Sequence, residues 1–126
     1  MYIFKTKAFS KWAEDEGLSD ELLKLAVNEI EQGLVDAKLG GNLYKKRIAT
    51  SSKGKSGGFR TLLAFKMDET AFFLYGFTKR QRANVSGKEL KALKLLAREM
   101  FGLNDYQLKL AVDVGELIEV KVSDDE

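Results

Sequence analysis

The chain of 126 residues contains no histidine, no cysteine and no proline. Each absence excludes chemistry. Without cysteine there is no disulfide framework and no thiolate nucleophile. Without cysteine or histidine the common zinc sites cannot be built, and a metal would have to be held by oxygen alone. A serine–histidine nucleophile pair is excluded too. No apolar run approaches the roughly 18 residues of a membrane-spanning helix. Met1–Ala8 lacks the apolar centre of a secretory signal, so a cytoplasmic protein with no membrane partner is expected. No cofactor is implied. The length suits one domain over residues 1–126. An apolar fraction of 44% and a charged fraction of 32% belong to a globular chain rather than a disordered one.

The net charge of +2 conceals a segregation. Eleven bases lie between Lys38 and Arg82, against two acids, Asp68 and Glu69. The middle third therefore carries +9 and the two flanks together −7. A basic stretch in a nearly neutral protein points to a surface that faces a polyanion. A merely solvated basic face is the alternative, and the placement of the bases decides between the two.

Tyr2–Thr6 is rich in β formers and reads as a short strand. Phe9, Trp12 and Ala13 have helical spacing over Ala8–Glu14, and Gly17 ends that helix. Ser19 is an N-cap before Asp20 and Glu21, and Leu22, Leu23, Ala26, Val27 and Ile30 form an apolar stripe. Gly33 suits the position after that helix. The two helices read as a hairpin. Gly40-Gly41-Asn42 is a turn cluster, followed by strands at Leu43–Ala49, Phe59–Lys66 and Ala71–Phe77. Their short connections predict an antiparallel meander. On the first of these, Leu43, Lys45 and Arg47 share one face, and Tyr44, Lys46 and Ile48 the other. Ser86-Gly87-Lys88-Glu89 matches a capping box. The helix behind it ends at Gly102, and Asn104 or Asp105 caps another through Val112. Glu116–Val122 reads as a last edge strand or an extended arm, and Ser123–Glu126 as a solvated acidic tail.

Gly54-Lys55-Ser56 imitates the end of a phosphate-binding P-loop. The motif requires glycine where this chain has Ala49, and a helix where Phe59–Lys66 reads as a strand. Nucleotide-triphosphate hydrolysis is therefore not indicated. The loop still has physical content. Gly54, Gly57 and Gly58 allow close backbone approach, and Lys53 and Lys55 flank Gly54. If the strands pair as a meander, Arg47, Arg60, Lys79 and Arg80 converge on one end or face of the sheet. Such a cationic concavity suits a phosphodiester. RNA cleavage needs a base for the 2′-hydroxyl, charge stabilisation at phosphorus and an acid for the leaving oxygen. Arginine supplies charge and bidentate geometry but is a poor base. A lysine can serve as base or acid when neighbouring cations lower its pKa. A nucleic-acid-binding face without catalysis remains open on these residues.

Among the aromatics, Phe9, Trp12, Phe65, Phe72, Phe73 and Phe77 lie in apolar patterns and are expected in the core. Tyr75 shares strand parity with Phe73 and Phe77 and is expected there too. Tyr44, on a mixed strand, is available to stack on a base. Asn84 and Ser86 read as a turn residue and a helix cap.

Three segments carry a family resemblance: Leu43–Ala49 (Leu-Tyr-Lys-Lys-Arg-Ile-Ala), Lys53–Thr61 (Lys-Gly-Lys-Ser-Gly-Gly-Phe-Arg-Thr) and Phe72–Ser86. In this order and spacing they resemble the RelE/HigB-like toxins of type II toxin–antitoxin systems. Ile3–Lys7 with Trp12, the Gly40-Gly41 turn and Gly115–Val120 also fit the HigB-like branch. The resemblance implies an α+β fold with a small twisted, mainly antiparallel sheet, an N-terminal helical hairpin and C-terminal helices. It implies a ribosome-dependent, metal-independent messenger-RNA endonuclease. Cleavage would proceed by 2′-hydroxyl attack and leave a 2′,3′-cyclic phosphate. A cognate antitoxin would neutralise it. The family's catalytic positions fall on basic residues here: Lys45, Arg47, Arg60 and Arg80. Lys53 and Lys55 belong to the loop of the HigB-like branch, and Lys79 is a further basic candidate. Lys46, Arg82 and Tyr44, with Lys45, are expected to bind RNA or the ribosome. Where some relatives carry a tyrosine, and others use histidine or aspartate in the site, this chain offers Ser86 and no histidine. A lysine is therefore the expected base. The resemblance leaves two other readings open: a ParE-type poison of DNA gyrase on the same fold, and an RNA-binding relative without activity.

Overall fold

A computed structural model describes residues 1–49 and 58–121. Ten elements follow in chain order: β1 (Tyr2–Thr6), α1 (Lys7–Glu16), α2 (Asp20–Glu31), β2 (Ala37–Gly40), β3 (Leu43–Ile48), β4 (Phe59–Lys66), β5 (Thr70–Thr78), α3 (Gly87–Phe101), α4 (Asp105–Asp113) and β6 (Leu117–Glu119). The helices begin where side chains satisfy their free N–H groups. Thr6, Ser19, Ser86 and Asn104 each accept from the backbone three residues on, and Ser86 and Asn104 form full capping boxes. Gly17 ends α1 at φ 74°, a backbone region that other side chains rarely adopt.

The six strands form one sheet in the order β2-β3-β4-β5-β1-β6. The stretch β2–β5 is the antiparallel meander expected of it. β1 lies parallel to β5 and antiparallel to β6, so the two chain ends complete one side of the sheet. This is the α+β class, with a mainly antiparallel sheet, that the resemblance implies. The strand β2 goes beyond the sequence reading, which placed only a turn there.

Alternation along the strands sends apolar side chains to both faces. Ile3, Leu63, Phe65 and Phe73 pack against Phe9 and Ala13 of α1 and Leu23, Val27 and Ile30 of α2. Phe4, Leu43, Ala64, Phe72 and Leu74 pack with Ala97 of α3 and half-buried side chains of α3 and α4. Phe72 and Phe73 are fully buried on opposite faces, which is what a central strand covered on both sides requires. Over Gly76 α1 approaches the sheet closely. A Cβ there would sit 2.2 Å from the Trp12 ring, so only glycine fits.

One irregularity shapes the functional end. Leu62 pairs with Tyr75, but Leu63 pairs with Phe73, leaving Leu74 as the extra residue of a β-bulge. The bulge reverses the alternation of β5. Phe73 faces α1 and α2, whereas Tyr75 and Phe77 face the side of Leu62 and Arg60. The parity that groups Tyr75 with Phe73 is therefore broken, and Tyr75 is half-buried rather than part of the core.

Candidate functional site

The end of β3, the start of β4 and the end of β5 meet at one edge of the molecule. Two rows of side chains cross the sheet there on the α3 side. Lys45, Leu62 and Tyr75 form one row, and Arg47, Arg60 and Phe77 the next. The helix α3 begins at Gly87 and covers the other half of this face through Leu43, Ala64 and Phe72, leaving the arginine row open.

Arg47 and Arg60 stand directly opposite each other. Like charges in that arrangement destabilise a sheet. Among the described residues, neither guanidinium is in an ion pair. Asp36 lies close, but its carboxylate accepts from the Arg47 backbone N–H at 2.5 Å, not from the guanidinium. Arg60 Nη1 is buried and has no hydrogen-bond partner among the described residues. A buried N–H of a charged group without an acceptor is costly, and an anion would satisfy it. Gly58 makes room for the pair. A Cβ there would lie 3.3 Å from Arg47 Nε. Beneath them Phe77 is buried, its ring centroid 6.0 Å from that of Tyr75.

Lys45 reaches Asn84 Oδ1 at 3.2 Å from Nζ and keeps a neutral partner. Lys79 and Arg80 are exposed in the turn after β5. That turn is anchored by Gln81, whose Oε1 accepts from Thr78 N–H at 2.9 Å and from Trp12 Nε1 at 3.1 Å, while its Nε2 donates to Glu16. A cleft of about 390 Å³ opens beside it, lined by Phe9, Trp12, Tyr75, Phe77 and Gln81 among others. The larger groove, about 970 Å³, lies away from the arginine row, between α1, α3 and β6, and is mainly apolar.

Three of the expected binding residues are not free on this face. Lys46 points to the opposite side, 7% exposed, with its ammonium 2.8 Å from Glu29 and 2.9 Å from the Leu34 carbonyl. Tyr44 shares that side and packs edge-on against Phe65 at 5.5 Å. Arg82 is on the right side but already paired. It donates two bonds to Glu89, at 2.9 and 2.5 Å, one to Tyr75 Oη at 3.0 Å and one to the Asn84 carbonyl at 3.0 Å. The pairing raises the arginine pKa further and, with the Ser86 N–H, lowers that of Glu89 to about 2. Arg82 therefore acts as a strut that fixes the start of α3 against Tyr75. Lys53 and Lys55 lie outside the described residues. Tyr75 and Asn84 enter the site although the sequence reading gave them no binding role, and Gly58, read there as allowing close backbone approach, enters beside Arg47. For Gly58 the signal was the glycine run of the loop.

Comparison with known families bears on this arrangement. The chain matches the family described as RelE toxin of RelE / RelB toxin-antitoxin system over residues 1–120. It belongs to the RelE toxin family. No curated protein matches this toxin significantly. Membership makes an antitoxin the partner to expect, in a family that is generally one of endoribonuclease toxins. Among the described residues, no helix of the toxin is long and apolar enough to cross a membrane.

Proposed function

We propose that this toxin is a ribosome-dependent messenger-RNA endonuclease, acting in the cytoplasm and neutralised by its cognate antitoxin. The observation that carries the reading is the open arginine pair, Arg47 opposite Arg60, with a buried Arg60 N–H lacking an acceptor. In the proposed reaction the 2′-oxygen attacks the adjacent phosphorus, the bond to the 5′-oxygen breaks, and a 2′,3′-cyclic phosphate remains. Negative charge builds on the phosphoryl oxygens in the transition state. Two guanidiniums facing that charge from adjacent strands would stabilise it. Arg80, at the end of β5, would add a third contact to the phosphate.

The proton steps fall to lysine, since the chain has no histidine. Lys53 or Lys55 is assigned as base or proton shuttle, and Lys79 as the acid for the leaving oxygen. Lys45 and its bond to Asn84 would hold the RNA backbone next to the scissile phosphate. The aromatic cleft beside Tyr75 and Trp12 suits a base of the same strand.

The test is incubation of purified toxin with programmed ribosomes, followed by mapping of RNA 3′ ends. Cyclic-phosphate ends within the message are expected. Intact message at toxin excess, with loss of supercoiling by purified gyrase, would replace this reading with that of a gyrase poison.

A further inference from the structure

A second cationic surface lies at the other end of α3. Lys66, Lys91, Lys94, Arg98, Phe101 and Asn42 line most of a groove of about 730 Å³ between α3 and the β2–β3 turn. It contains no carboxylate. The Lys66 ammonium sits 4.9 Å above the centre of the Phe101 ring. Lys94 extends over the turn, where a Cβ on Gly40 would be 3.4 Å from its Nζ.

Two exposed bases on the other helices are neutralised within one turn, although Lys7 on α1 is in no ion pair among the described residues. On α1, Lys11 pairs with Asp15, and on α4, Lys109 pairs with Asp113, both one turn apart. On α3, Lys88, Lys91, Lys94 and Arg98 recur every three or four residues along one stripe. Among the described residues none of them, nor Lys66, is in an ion pair. The helix has two acids, and one of them, Glu89, is held by Arg82. Successive bases lie about 5 Å apart along the axis, and the stripe covers about 15 Å. It starts at the N-terminus of α3, next to the Tyr75–Arg82 strut, and ends in the groove.

From this geometry we infer that α3 carries a track for the phosphate backbone of RNA, leading from the arginine row to the groove at Lys66. The inference rests on the endonuclease reading for the identity of the strand, but its contacts are separate from the reacting ones. A row of unpaired cations at regular spacing matches a regular polyanion, and phosphate contacts position a strand without reading its sequence. Phe101 and the exposed Leu95 offer apolar surface beside the cations.

The experiment measures binding of two single-stranded RNAs, of about 4 and about 16 nucleotides, as a function of salt. A triple variant, Lys91→Gln with Lys94→Gln and Arg98→Gln, is compared with wild type and with Arg60→Ala. Glutamine keeps helix propensity, and thermal melting confirms the fold. The triple variant should bind the long RNA roughly tenfold more weakly. Its salt slope should fall by about 2, from about 0.7 per lost phosphate contact. The short RNA should bind it as it binds wild type. Unchanged affinity for the long RNA would overturn the track, as would displacement of RNA by a polyglutamate of equal charge as readily as by unlabelled RNA. If Arg60→Ala alone weakens binding, the track fails and the endonuclease reading stands. If the triple variant alone weakens binding, the track stands, and the arginine row is then judged by cleavage on programmed ribosomes, because transition-state contacts need not add to ground-state affinity.

Discussion

Lys45 and Lys46 are neighbours in sequence and opposites in environment. Lys46 faces α2, is 7% exposed, and spends its charge on Glu29 and the Leu34 carbonyl. Lys45 faces the open side with Arg47 and Arg60, and the one hydrogen-bond partner of its ammonium among the described residues is the neutral Asn84. The period of two along a strand separates identical side chains onto different faces. The side covered by α1 and α2 neutralises its cations, Lys46 through Glu29 and Lys5 through Asp20. On the side that α3 leaves open, Lys45, Arg47 and Arg60 are in no ion pair among the described residues, and Arg82 alone is neutralised, by Glu89. Charge counted along a sequence is thus not charge available to a ligand, and sheet face decides which is which.

The largest effect should come from breaking the open face. Arg60→Ala removes a positioned donor and should lower cleavage on programmed ribosomes by about 10²–10³-fold, the usual loss for one such donor. Thermal stability should hold or rise, because the variant ends a like-charge pair. Equal cleavage by the variant would remove Arg60 from the site. The covered face should respond in the reverse manner. Gly76→Ala drives a methyl into the Trp12 ring. It should cost about 1–3 kcal/mol, read as a melting temperature lower by roughly 4–12 °C. A melting temperature within a degree or two of wild type would show that Trp12 moves aside freely.

A smaller and more direct contrast uses the neighbouring lysines. Lys46→Met should cost about 1–2 kcal/mol, through the lost bonds to Glu29 and Leu34, while RNA affinity stays constant. Glu29 has a side chain 41% exposed and can rehydrate, which limits the loss. Lys45→Met should leave stability unchanged and weaken RNA binding severalfold, with a lower salt slope. Urea unfolding and RNA titration of both variants give the answer. The same profile in the two variants would dissolve the distinction between the faces.

Much of this frame is legible in the sequence. The run Phe59–Lys66 stands as the strand expected, and the capping box at Ser86 forms as its spacing predicts. The opposite faces of Lys45 and Lys46 follow from alternation alone. Tyr75 does not, because a bulge at Leu74 is a pairing event between two strands and leaves no mark in β5 read by itself. The four-residue β2, Ala-Lys-Leu-Gly, is too short to show a period, and it pairs only because the Gly40–Asn42 turn folds it onto β3. Arg82 counts as a free base until Glu89 is placed beside it. The sequence assigns Glu89 to the helix cap, and in the structure one carboxylate serves both the Ser86 N–H and the guanidinium.

That shared carboxylate gives the smallest effect and the sharpest test of locked against free cations. Hydrogen bonds from Arg82 first, and from the Ser86 N–H second, lower the Glu89 pKa from 4.5 to about 2. The folded chain therefore gives up this proton more readily than the unfolded chain. The resulting stabilisation is complete above about pH 4.5 and is lost as pH falls towards 2. Solvent screening at this exposed site keeps it small. Glu89→Gln retains an acceptor for the capping box but cannot titrate. Plotted against pH, the melting temperatures of wild type and variant should differ most above pH 4.5 and converge towards pH 2. Parallel curves over that range would mean that Arg82 does not hold Glu89 in solution. At neutral pH the same variant leaves the Arg82 charge without a neutralising carboxylate beside the open face. If the free cations there bind RNA, affinity should hold or rise slightly even as stability falls, and a fall in both would show that the strut itself shapes the binding surface.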